Sequence, residues 1–144
     1  MTQAQGFEIS LLDAADAKPA TFNVDVMQND DGEGIVGFII VGKNSPEYQN
    51  ASNKVRIENI KRASKRSKQL DTSTDDGAAV VAKTVAANEH TLAMAVTVGW
   101  YGFNLEGAPM TFDKAVVEKL FTKYPQWQAM VNAALDNDVN FMKV

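Results

Sequence analysis

One stretch constrains the fold more than any other: an alternating segment, a turn-rich loop and a continuous apolar run, all within 21 residues. From Phe22 to Met27 apolar Phe22, Val24 and Val26 alternate with polar Asn23 and Asp25. That is the period of two of a strand with one buried face. Ile35-Val36-Gly37-Phe38-Ile39-Ile40-Val41 follows as a short, β-branched run, and Gln28–Gly34 between them is loaded with Asn, Asp and Gly. Such residues tolerate the positive φ of tight turns. The pattern predicts a β-hairpin with strands at about 21–27 and 35–41. A further strand at about 7–12 would make a three-stranded sheet. Two strands alone are marginal in water, so the apolar face must be covered.

Helical signals supply the cover. Ser45-Pro46-Glu47 reads as an N-cap, a Pro at the first helical position and an acid in the first turn, opening a helix over about 46–69. Its inward positions would be Tyr48, Val55, Ile60 and Ala63. Thr74 with Asp75 and Asp76 opens a second, over about 75–97, with an apolar stripe at Val81, Val85, Leu92 and Val96. A glycine-rich loop spans Gly99–Pro109. Thr111 then caps a helix at about 112–122, carrying Val116, Val117, Leu120 and Phe121. Pro125 opens the last, at about 125–140, with Trp127, Met130, Val131, Ala134, Leu135 and Val139 on one side. Strands first and helices afterwards predict an α+β fold, a small antiparallel sheet under about four helices. The 144 residues suit a single domain, 1–144.

The chain has no cysteine, which removes disulfides, thiol nucleophiles and thiolate metal sites. Its start lacks the basic and apolar regions of a signal peptide, and no apolar run approaches the ~20 residues that span a bilayer. The expectation is a soluble chain that stays in the cell, with no membrane partner.

Known chemical motifs fail on context. Gly32-Glu33-Gly34-Ile35-Val36-Gly37 matches the dinucleotide fingerprint, but that motif needs a helix N-terminus facing the pyrophosphate. A strand follows here instead. His90 is the only histidine, and its neighbour Glu89 points elsewhere on a helix, so neither a triad nor a histidine metal site is expected. Asp136, Asp138 and Asn140 have the opening spacing of a calcium loop, yet position six is Phe141 rather than Gly. The expectation is a protein that is not an enzyme, with no catalytic residues, no cofactor and no metal.

Charge is unevenly spread. The net charge is −4. Lys54, Arg56, Lys61, Arg62, Lys65, Arg66 and Lys68 with Glu58 alone give a local +6, which leaves −10 on the rest. The segment reads first as a solvated or protein-docking face. Its second reading is nucleic acid, for which seven phosphate contacts would give a salt slope of about −6. No aromatic lies among these cations to stack a base. Trp100, Tyr101 and Phe103 form a second candidate, equally suited to anchoring the fold or a partner.

Four elements occur in order: Val41-Gly42-Lys43-Asn44-Ser45-Pro46-Glu47-Tyr48, then Trp100-Tyr101-Gly102-Phe103, then Gly107-Ala108-Pro109-Met110-Thr111-Phe112, then a closing helix led by Pro125. Over about residues 20–142 the chain resembles the tail assembly chaperones of long-tailed bacteriophages. In that family "G-x-D-S-x-x-Y/F" follows a strand and "W-x-G" leads through "G-x-P-L-x-F" into a helical pair. Asn44 stands here for the family's Asp and Met110 for its Leu. The resemblance implies a non-enzymatic protein of the host cytoplasm that coats the tape measure protein during assembly. The tail tube protein and further copies of the chain would be additional partners, and the mature virion would lack it. Some members also exist in a frameshifted longer form. The contact residues would be Trp100, Tyr101 and Phe103 with Lys61, Arg62, Lys65, Arg66 and Lys68. The alternative is a nucleic-acid-binding accessory protein using residues 54–68.

Overall fold

The computed structural model describes residues 20–65 and 73–142, together with Ile9. Two strands open it, β1 (Thr21–Gln28) and β2 (Gly34–Val41), paired antiparallel with Phe22 opposite Ile40 and Val24 opposite Phe38. The turn is built by Asn29. Its Oδ1 accepts from the amides of Asp31 and Glu33, at 3.0 and 2.9 Å, and Gly32 takes φ +82°. The glycines of the dinucleotide-like motif therefore belong to a hairpin.

After the hairpin come two long helices, α1 (Pro46–Lys65) and α2 (Asp75–Val96). Chain entry to α1 explains the residues between. Gly42 lies against the Phe141 ring, where a Cβ would approach within 2.7 Å. Ser45 is fully buried. Its Oγ donates to the Gly42 carbonyl at 2.7 Å and accepts from the Tyr48 amide at 3.2 Å, an N-cap. Thr74 caps α2 by accepting from the Gly77 amide at 3.1 Å.

The third strand is where the sequence reading needs correction. It is β3 (Thr97–Tyr101), directly after α2 and antiparallel to β2, so the sheet order is β1-β2-β3. The expected glycine-rich loop from Gly99 is thus a strand up to Tyr101. Beyond it lie the two-residue strands β4 (Asn104–Leu105) and β5 (Ala108–Pro109), paired with each other. The reason is non-local: β-branched Thr97 and Val98 leave the helix because Gly37–Ile40 offers an unpaired edge. The strand expected at about 7–12 falls, apart from Ile9, outside the described residues.

Two further helices complete the fold, α3 (Lys114–Lys123) and α4 (Pro125–Asp136), followed by a 3-10 turn at Asp138–Phe141. Asp113 rather than Thr111 caps α3, its Oδ1 accepting from the Ala115 amide at 2.9 Å. Helix α4 crosses β1 and β2, while α2 packs on α3, α4 and β3. The core between these layers is Val24, Phe38, Ile40, Val41, Ala93, Val96, Val117, Phe121, Val131, Leu135 and Phe141. The observed class is α+β, as expected, with the third strand inserted between the second and third helices.

Gly102 links β3 to β4 with φ +81°, and a Cβ there would sit 2.0 Å from the Ile35 carbonyl oxygen. The left-handed backbone and the collision both oppose any side chain. Gly102→Ala is expected to lower unfolding stability by about 2 kcal/mol, read as a lower urea midpoint with an unchanged slope.

Candidate partner-binding surface

The aromatic candidates split between the two faces of the sheet. Trp100 is paired with Phe38 and so faces the helices. Its ring lies 4.9 Å from Phe103 and 5.3 Å from Phe112, and its Nε1–H donates to the Met110 carbonyl at 3.0 Å. Phe38 lies 5.3 Å from Phe103 and 5.1 Å from Phe121. Trp100 and Phe103 are half-buried members of this network. They tie the β4–β5 hairpin to the core, which is an anchoring role.

Tyr101 turns to the opposite face. There its hydroxyl donates to Asp25 Oδ1 across Gly37, where any Cβ would meet the tyrosine oxygen. Burial raises the Tyr101 pKa above the ordinary tyrosine value, and the hydrogen bond to Asp25 and that carboxylate's charge raise it further. The sign of the linkage follows. A raised folded-state pKa gives stability that is complete below the unfolded value near 10 and is lost as pH climbs beyond it. Tyr101→Phe is therefore expected to destabilise at about pH 8 and to lose part of that disadvantage at about pH 10.5. Urea unfolding of both proteins at the two pH values measures the difference.

The basic candidates lie on a different part of the molecule. Lys54, Arg56, Lys61, Arg62 and Lys65 are all exposed on α1, which packs chiefly against α2. Arg66 and Lys68 lie outside the described residues. Among the described residues none of these five cations forms an ion pair; the ion pairs present are Lys43–Asp136 and His90–Glu118. Arg56 donates instead to the side chain of Asn53, one turn earlier, at 3.0 Å.

Between the cations stand two isoleucines, Ile57 and Ile60, of which Ile60 is an expected inward position and Ile57 is not. Ile57 is 50% exposed and Ile60 62%. The half-buried positions of α1 are Tyr48, Ala51, Ser52 and Val55. At 100° per residue Ile57 and Ile60 sit on the opposite side, 60° from each other. Expected inward positions Ile60 and Ala63 are thus corrected to outward. On α2 the expected stripe is corrected likewise: Val96 is buried, but Val81 and Val85 are exposed, as is Val80. Only the C-terminal half of α2 lies on the core, where Ala93 and Val96 are buried. The outer halves of α1 and α2 extend beyond it. The phase of Tyr48 and Val55 was the signal in the sequence that could have placed Ile57 and Ile60 outside.

Other polar groups are occupied structurally. His90 Nδ1 lies 2.8 Å from Gln128 Oε1, and Nε2 lies 3.8 Å from a Glu118 carboxylate oxygen, linking α2 to α4 and α3. An open depression of about 760 Å³ is lined by Leu105 and residues 109–114. Its carboxylate, Asp113, caps α3, and its amine, Lys114, donates to the Met94 carbonyl near the end of α2 at 3.0 Å. Lys114 thereby satisfies an orphan carbonyl of that helix end. Among the described residues no three His, Cys, Asp or Glu side chains converge as metal ligands. No helix among them is long and apolar enough to cross a membrane.

No protein-family model, curated protein or solved structure matches the chain. The motifs have structural explanations in this fold: Gly42 against Phe141, Ser45 as a cap, Trp100 and Phe112 in ring contact, Gly102 at positive φ.

Proposed function

We propose that the protein is a phage tail assembly chaperone that binds the tape measure protein and keeps it soluble while the tail is built. The observation that carries this reading is the outer part of α1, where Ile57 and Ile60 stand exposed on a helix that also carries five exposed cations. Exposed apolar side chains rimmed by charge are a feature of surfaces that hold other proteins. A chaperone of an elongated protein needs contacts that are weak singly and repeated along the partner, which a small apolar patch provides. In this reading the protein acts without catalysis in the cytoplasm of the bacterial host, and it leaves before the virion matures. The tail tube protein and further copies of the chain are secondary partners.

The same five cations support nucleic-acid binding as a second reading. Isoleucines at the centre of the patch weigh against it, because a phosphate backbone gives them nothing to bury against.

Co-expression with the tape measure protein of the same phage, followed by size exclusion, tests the proposal. The expected result is a soluble complex that co-elutes, from a tape measure protein that precipitates when expressed alone. Insoluble tape measure protein beside abundant free chain would overturn it.

A further inference from the structure

We infer that the outward face of α1 is a docking site for an acidic amphipathic helix, held by Ile57 and Ile60 between a row of lysines on one side and Arg56 on the other. This rests on the protein-binding reading above and names the chemistry of the partner segment. On the helical wheel Asn53, Ile57, Ile60 and Ser64 form one stripe. Lys54, Lys61 and Lys65 flank it on one side and Arg56 on the other, all exposed and without ion pairs among the described residues. The single acid of the helix beyond its first turn is Glu58.

The occupant follows from complementarity. The cations call for carboxylates on both sides of the partner's apolar stripe. An amphipathic helix with leucine-like residues at i, i+3, i+4 and i+7, edged by Glu or Asp, meets both demands. An extended strand does not, because α1 has no free backbone donors or acceptors along its middle to pair with one. Two isoleucines are a small anchor, so one site binds weakly, with a dissociation constant on the order of 10–1000 μM. A long partner carrying many such segments would hold many copies at once.

Salt separates this mode from a polyanion site. Charge steers the acidic helix while burial of the isoleucines persists, so raising salt weakens binding without removing it. A duplex held by five cations would instead weaken with a logarithmic slope of about −4 to −5.

The test uses a synthetic acidic amphipathic helix of 21 residues, leucines on one face and glutamates beside them. Its controls are the same peptide with lysines for glutamates and a 20-base-pair DNA duplex. Binding to the full chain is followed by fluorescence anisotropy. The acidic peptide is expected to bind at least about ten-fold more tightly than either control, and Ile57→Ser with Ile60→Ser to weaken it by about ten-fold. Both substituted positions are exposed, so the melting temperature should stay within a few degrees of the parent. Unchanged affinity in the double variant, or tighter binding of the duplex, would overturn the inference. A double variant that still keeps tape measure protein soluble would sink this site and leave the chaperone reading standing. Peptide binding by a chain that fails to solubilise tape measure protein would do the reverse.

Discussion

Phe38→Ala should unfold at a melting temperature lower by about 10–15 °C, from a stability loss of about 3–5 kcal/mol. Phe38 is fully buried in the central strand. Its ring touches those of Phe103 and Phe121 and lies 6.2 Å from Trp127, so it joins β2 to α3, α4 and the segment after β3. Truncation removes the transfer energy of a benzyl group and leaves a void that close-packed neighbours fill only in part. Phe38→Leu keeps most of the volume and should lose less, by about half. Calorimetry on the three proteins reads the series directly. A Phe38→Ala protein melting within a few degrees of the parent would contradict the assigned core.

Trp100→Ala carries the second large effect, about 3 kcal/mol, and it separates an anchor from a partner contact. The indole is half-buried, packs on Phe103 and Phe112, and holds the Met110 carbonyl through Nε1–H. Removing it costs apolar burial and deprives that carbonyl of its donor, the latter worth about 1 kcal/mol. Trp100→Phe should restore much of the packing and none of the hydrogen bond. Partner binding measured well below the melting point should then be nearly the same for Trp100→Phe and the parent. A large loss of binding in a Trp100→Phe protein of near-parental stability would return Trp100 to the contact surface.

Local pattern made the hairpin and the helices legible. Alternation in β1, the apolar run of β2 and the Asn and Gly between them are short-range signals, as are the caps at Ser45 and Thr74 and the Pro at position 125. β3 was harder to read. Its Val96-Thr97-Val98 start is ambiguous between helix and strand, and what decides it is the edge of β2, some 60 residues earlier in the chain. The split of Trp100 and Tyr101 between two faces follows from that strand and was therefore hidden too.

The candidate site was half legible. Composition shows the run of cations, because charge needs no tertiary context. It does not show that Ile57 and Ile60 face outward, since an isoleucine on a helix is read as core unless its phase is compared with Tyr48 and Val55. The same holds for Val81 and Val85, which complete a helical stripe on paper but lie beyond the reach of the core. Apolar residues with correct spacing and nothing among the described residues to cover them are where fold and function part in this chain.

Hydrogen exchange of the chain alone and with tape measure protein is the most direct test of the central claim that α1 holds a protein partner. The account predicts slowed exchange along residues 53–65, with the amides of β2 and α3 unchanged. Slowing confined to residues 100–110, or no slowing anywhere on addition of the partner, would contradict it.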